Sequence, residues 1–262
     1  ISHTKDQSQL VIIPIPWEVT VTSGTGTSKA PSALLEASTE VDLFSKEIAD
    51  VWKLGVTLLD IPEEIEKENE RVRALAVQHI QSLANGETSD TKVITTKVNE
   101  ASENLNVYVK NTAQRLLQEG KMVGLLGGDH STPLGFLRAL SERYERFGIL
   151  QIDAHADLRR SYEGFTYSHA SIMYNALKLP AVGRLVQVGI RDYCEEEATV
   201  MQRAMGRVKT FFDSDINEAV YSGKTWNEVC KDIINELPDL VYISFDIDGL
   251  TPDHCPHTGT PV

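Results

Sequence analysis

Some of the apolar runs in this chain do not alternate. Val-Gly-Leu-Leu at 123–126 and Val-Tyr-Ile-Ser-Phe at 241–245 carry apolar residues on neighbouring positions. A strand with one wet face alternates, so such runs describe strands covered on both faces, as in a parallel sheet with helices above and below. Further β-branched runs predict strands over 9–15, 54–60, 122–126, 148–152, 185–190, 208–212 and 240–245. Helical periodicity fills the gaps over 31–49, 63–84, 98–119, 133–147, 169–178, 195–205 and 226–237. Strands alternating with helices predict an α/β fold with a mostly parallel central sheet between two helical layers, three layers in all. Two long helical patterns follow each other between the second and third strands, joined by the polar stretch 85–96. They read as a pair packed on the sheet, with an oligomer contact or a cover over the site as the other reading.

Three of the strands run straight into residue types that ligate metals. Positions 127–131 read GGDHS, positions 153–157 read DAHAD, and positions 244–248 read SFDID. In open parallel sheets ligands bind beyond the carboxyl ends of the strands, which predicts that the three clusters converge. Asp153, His155 and Asp157 recur every second residue, as do Asp246 and Asp248, so each set projects to one side of an extended chain. Four carboxylates so crowded repel one another unless positive charge lies among them. Two divalent cations supply it. Mixed carboxylate and imidazole ligation suits manganese, with zinc, iron, cobalt and nickel as alternatives. Taken singly, each cluster has a plainer reading: an Asp capping a turn, glycines serving a tight bend, a histidine satisfied in a core.

The whole-chain numbers narrow the setting. Of 262 residues, 25 are Lys or Arg and 38 are Asp or Glu, giving a net charge of −13. No basic stripe is visible, so no nucleic-acid partner is expected. No apolar run approaches the roughly 18 residues of a membrane span, so no membrane partner is expected either. Three cysteines, Cys194, Cys230 and Cys255, are odd in number and widely spaced. That favours a reducing compartment, with the cytoplasm as the expected location. The chain starts at Ile1 rather than Met, which leaves room for a preceding targeting segment.

The three clusters together resemble those of the ureohydrolase family, which includes arginases, agmatinases and formimidoylglutamases. SHAS at 168–171, VGIR at 188–191, TGTP at 258–261 and the loop PWEVTVTSGTGTSKAPSALLEAS near the start resemble further family features. The resemblance implies a single ureohydrolase domain over 1–262, lacking its C-terminal portion. The family continues past TGTP with another turn, helices, strands and an acid that grips the guanidinium. It implies two manganese ions, one held by His130 and Asp157, the other by His155 and Asp248, with Asp153 and Asp246 bridging. A hydroxide shared by the ions is then the nucleophile, Asp157 orients it, and His169 moves a proton to the departing amine. The implied partners are a small cationic guanidino substrate and further copies of the chain in a trimer or hexamer.

Departures from the family pattern bear on substrate choice. Where arginases bring an Asp to the substrate's α-amino group, this chain has Cys194, and where they carry an Asn after DAHxD it has Arg159. The sequence favours an agmatinase-like enzyme that releases urea and an amine. Formimidoylglutamase, guanidinobutyrase and guanidine hydrolase are the alternatives within that chemistry. Outside it stand an inactive metal-binding homologue with an assembly or regulatory role and a single-zinc deacetylase. For Arg159 two orientations remain, inward against a substrate carboxylate or outward onto a surface acid such as Glu163, the outward one favoured.

Overall fold

The computed structural model describes residues 3–22, 24–86, 91–258 and 260. Ser23 of the first loop, 87–90 of the polar joiner, and Gly259 and Pro261 of TGTP lie outside the described residues. The chain divides into two compact units, Ile1–Leu140 with Glu163–His169, and Ser141–Tyr162 with Ala170–Val262.

The first unit holds a parallel sheet of β1 (Leu10–Ile15), β2 (Val56–Leu58) and β3 (Met122–Gly127), in the order β2-β1-β3. Val11, Ile13 and Ile15 of the central strand are fully buried. Helices α1 (Ala30–Ala37), α2 (Glu63–Ala84) and α3 (Thr91–Gln118) belong to it, with the first turns of α4 (Leu134–Arg143). On α3, Val98, Ala101, Leu105, Val109, Ala113 and Leu116 are buried at three- and four-residue spacing, a stripe that packs on β1 and β3. Each such Val or Leu contributes about 1.5–3 kcal/mol on burial.

Two helix boundaries differ most from expectation. Helix α1 stops at Ala37, twelve residues short of the predicted end. Ser38 and Thr39 turn their hydroxyls onto the carbonyls of Leu35 and Glu36, satisfying acceptors that further helix would have used. Helix α3 starts seven residues early. Its Thr95 and Thr96, which read as joiner, tuck their hydroxyls onto the carbonyl of Lys92 inside the helix. The helical pair packs together, as expected, and it also holds the loop at 163–166.

The second unit holds β4 (Phe147–Ile152), β5 (Val182–Ile190), β6 (Val208–Phe212) and β7 (Val241–Phe245), all parallel, in the order β6-β5-β4-β7. Its helices are α5 (Ile172–Ala176), α6 (Glu195–Arg203), α7 (Asp213–Tyr221) and α8 (Trp226–Asn235). Helix α7 is not among the sequence-based expectations; it follows β6 without an intervening residue, so no turn signal marks its start. Val186, Val229 and Ile233 form a core against Leu150, Val188, Phe211, Ile216 and Leu237. Helix α8 opens on a capping box, with Glu228 N–H 3.3 Å from Thr225 Oγ1 and Thr225 N–H 2.8 Å from Glu228 Oε2. Parallel sheets flanked by helices bear out the α/β reading. Among the described residues no helix is long and apolar enough to cross a membrane.

Candidate metal centre

In the second unit DAHAD leaves the end of β4 and SFDID completes β7, its neighbour. Asp246 N–H donates to Ile152 C=O at 2.9 Å, and Asp153 N–H to Val188 C=O at 3.1 Å, so both acids start from fixed backbone. Asp153 is fully buried, and its Oδ1 accepts His155 N–H at 2.8 Å in a tight local turn. Asp246 Oδ1 likewise accepts Asp248 N–H at 3.2 Å. Gly249 is required here, because a Cβ would stand 2.9 Å from Asp153 N.

These turns bring side chains from two strands together. One ligand atom each of Asp153, His155 and Asp248 lie within 4.8 Å of one another, and an oxygen of Asp246 lies within the same reach of Asp153. His155 Nδ1 is 3.0 Å from Asp248 Oδ2 and 3.6 Å from Asp153 Oδ1. Burial alone would lower the pKa of His155. Hydrogen bonds to Asp153 and Asp248, with the charges of Asp248 and Asp157 behind them, instead push it up to about 11. A cluster that holds a proton so firmly is built for positive charge. The donor set of hard carboxylate oxygens and one imidazole fits a divalent cation. His155 Nε2 also lies 2.8 Å from Thr260 Oγ1, the second threonine of TGTP.

Asp157, at the end of DAHAD, is buried and has φ of 54°, the left-handed region that an Asp tolerates better than most residues. Its carbonyl accepts Met173 N–H and Tyr174 N–H at 3.0 and 3.2 Å, at the start of α5. The next amide, Leu158 N–H, donates to Glu197 Oε1 at 2.9 Å. The VGIR arginine also has a structural task, since Arg191 Nη2 donates to Asp248 C=O at 2.7 Å and braces the turn after β7.

A polar ladder that the sequence reading missed lies beneath Asp153. Gln151 and Gln187 sit on neighbouring strands β4 and β5, both fully buried. Thr210 on β6 donates to Gln187 Oε1 at 2.9 Å, and Gln187 Nε2 donates to Gln151 Oε1 at 2.7 Å and to Ala156 C=O at 2.8 Å. Gln151 Nε2 then donates to Asp153 Oδ2 at 2.8 Å and to His155 C=O at 3.0 Å. A glutamine two residues ahead of DAHAD, inside an apolar strand, was the available signal.

The remaining candidates lie in the first unit. His130 follows β3 and is half-buried. The two glycines before it serve close packing, since a Cβ on Gly128 would stand 2.1 Å from Trp17 O. Asp129 caps its own turn, its Oδ1 accepting the N–H of Ser131 at 2.9 Å and also the Ser131 hydroxyl. His169 opens a short 3-10 turn ahead of α5, with its Nδ1 3.3 Å from Thr20 Oγ1.

Two departures from the family pattern are also placed. Cys194 is the N-cap of α6, and its N–H donates to Glu197 Oε2 at 2.9 Å. The outward pairing of Arg159 with Glu163 is corrected. Arg159 pairs instead with the buried Glu197 at 3.6 Å and lies over the Tyr162 ring. Positive φ at both Glu163 and Gly164 turns the chain there, and Glu163 C=O lies 2.8 Å from His79 Nε2.

Residues 8–262 match the sequence profile of the Arginase family. The chain belongs to the arginase family. It is 32% identical over 259 residues to an N(1)-aminopropylagmatine ureohydrolase of Thermus thermophilus, covering 98% of this chain and 73% of that one. It is 26% identical over 254 residues to the protein of the same name from Synechocystis, covering 96% and 71%. Among solved structures, agmatine ureohydrolase of Thermoplasma volcanium superposes with a TM-score of 0.71 at 22% identity, covering 100% of this chain and 74% of that one. As an arginase-family ureohydrolase, the chain is a hydrolase of guanidino C–N bonds.

Proposed function

We propose that this arginase-family chain hydrolyses agmatine or an amine-extended agmatine, releasing urea and an amine, with two manganese ions bound by His130, Asp153, His155, Asp157, Asp246 and Asp248. The observation that carries the reading is the Asp153–His155–Asp248 cluster at the ends of two adjacent strands. Bound divalent cations would lower the pKa of water towards neutrality and so supply a nucleophile. Asp157, held in a left-handed conformation by α5 and Glu197, directs the attacking water at the planar guanidinium carbon. His169 gives a proton to the departing amine nitrogen as the C–N bond breaks, so that the amine leaves as a neutral molecule.

Two features support a substrate without an amino-acid head group. The thiol of Cys194 is a poor acceptor for an α-ammonium. Arg159 is neutralised by Glu197, so it neither demands a substrate carboxylate nor repels a distal amine. The relatives named N(1)-aminopropylagmatine ureohydrolase fit the same choice. A panel of agmatine, N1-aminopropylagmatine, arginine, guanidinobutyrate, formimidoylglutamate and guanidine, with urea and amine measured separately on manganese-loaded protein, tests the reading. Hydrolysis of one of the first two in preference to the rest is expected. A preference for arginine or formimidoylglutamate overturns the substrate assignment, and no hydrolysis of any would favour an inactive homologue.

A further inference from the structure

Thr20 is fully buried, 149 residues away in sequence from the histidine it touches. Its hydroxyl oxygen is 3.2 Å from the backbone N–H of His169, 3.3 Å from His169 Nδ1 and 3.4 Å from Asp129 Oδ2. A hydroxyl has one proton to give and two lone pairs to receive. The contact with Asp129 Oδ2 is one that the Thr20 hydroxyl donates, which leaves it no proton to offer His169 Nδ1. The two lone pairs then face His169, one taking its backbone N–H and the other available only to a protonated Nδ1. Ser168 Oγ stands farther from that nitrogen, at 3.5 Å. The other oxygen of Asp129 is already engaged by Ser131.

The position of Thr20 is enforced from outside. Arg73 of α2 donates to the carbonyls of Val19 and Val21 on either side of it. Glu18 N–H donates to Asn69 Oδ1 at 2.7 Å, one turn earlier on the same helix. Glu18 Oε2 in turn accepts Gly26 N–H and Ser28 N–H at 2.7 and 3.0 Å, closing the loop that follows. The facing histidine segment is fixed as well. Asn99 of α3 accepts Thr166 N–H at 2.8 Å and donates to Gly164 C=O at 3.3 Å.

We propose that Thr20 is a positioning residue that holds His169 as its Nδ1–H tautomer, through a chain running from Asp129 to Thr20 to the imidazole. Nε2 is then the nitrogen that exchanges the proton. When the imidazolium gives its Nε2 proton to the leaving amine, the neutral ring keeps the Nδ1 proton and the Thr20 bond is undisturbed. The inference rests on the proton-transfer role proposed for His169, but the tautomer is measurable without turnover.

Nitrogen-15 NMR of the His169 side chain, on metal-free protein and on protein loaded with diamagnetic zinc, reads which nitrogen carries the proton in the neutral ring. The wild type should show Nδ1–H; a wild type in the Nε2–H form overturns the proposal with no variant needed. Thr20→Val keeps the shape and removes the hydroxyl, and it should shift His169 towards Nε2–H. On the hydrolysed guanidino substrate it should lower kcat by roughly 10–100-fold, part of a general acid's contribution, with KM changed less than about twofold. Thr20→Ser keeps the hydroxyl and should retain both the wild-type tautomer and most of kcat. Thr20→Val with an unchanged tautomer, or Thr20→Ser with a loss equal to that of Thr20→Val, refutes the role. A chain that shows the Nδ1–H form but hydrolyses no guanidino compound would leave the tautomer assignment standing and remove the proposed reaction.

Discussion

Replacing Gln187 by Met tests the buried ladder without touching a candidate ligand. Methionine fills similar volume but neither donates to Gln151 and Ala156 nor accepts from Thr210. Three buried groups lose a partner. The Thr210 hydroxyl also lies 3.7 Å from Met201 Sδ, so it can turn to that weak acceptor, whereas Gln151 Oε1 and Ala156 C=O cannot be re-paired by rotation. At about 1–3 kcal/mol for each orphaned group, offset by the easier burial of an apolar side chain, the net loss is roughly 2–4 kcal/mol. For a protein of this size each kcal/mol shifts Tm by about 2–4 °C, so thermal melts of metal-free protein should fall by roughly 4–16 °C. Gln151, released from Gln187, would also hold Asp153 less firmly. Loss of an outer hydrogen bond behind a metal ligand typically weakens metal binding by about 10–100-fold, measurable by chelator competition. A Tm indistinguishable from wild type together with unchanged metal affinity would show that the ladder neither stabilises the sheet nor orients Asp153.

Elemental analysis of manganese-loaded protein should find two ions per chain, about 3.5–4 Å apart by crystallography or spectroscopy, and one ion or none would remove the two-metal reading. If Asp153 bridges two ions, as the family resemblance implies, Asp153→Asn should lose more metal than His130→Asn, and equal losses would remove the bridging role. His169→Ala should lower turnover by roughly 10²–10⁴-fold with metal content unchanged, and full activity from about pH 6 to 9 would retire its role as proton carrier. L-Arginine should be the poorer substrate, because a buried α-ammonium without a partner costs several kcal/mol. A kcat/KM for arginine near or above that for agmatine would show that a clamp other than the one lost at Cys194 serves the amino-acid head.

The seven strands are legible because apolar, β-branched runs set between helical patterns admit few other readings, and β3, β4 and β7 run straight into Gly-Asp or Asp. The positions of the candidate ligands are legible too, most following a strand within a few residues. What the sequence hides is what supports them. Glu197 reads as one of three consecutive glutamates at a helix start, yet it alone is buried and holds Leu158, Cys194 and Arg159. For Arg159 the sequence offers only proximity as a guide, and proximity points to the wrong glutamate. Gln187 is separated from Gln151 by a whole crossover, and nothing in a linear pattern pairs them. Thr20 lies in a loop whose glycines and threonines mark a turn but do not say which hydroxyl faces inward.

Helix α2 carries Asn69, Arg73 and His79, which reach two separate stretches of chain, 18–21 and 163. Those stretches are therefore not independent loops. They share one rigid rod as their anchor, so their amides should open to solvent together, as a single cooperative unit. A substitution on the far side of α2 that tilts the rod would displace Thr20 and the Glu163 turn in step.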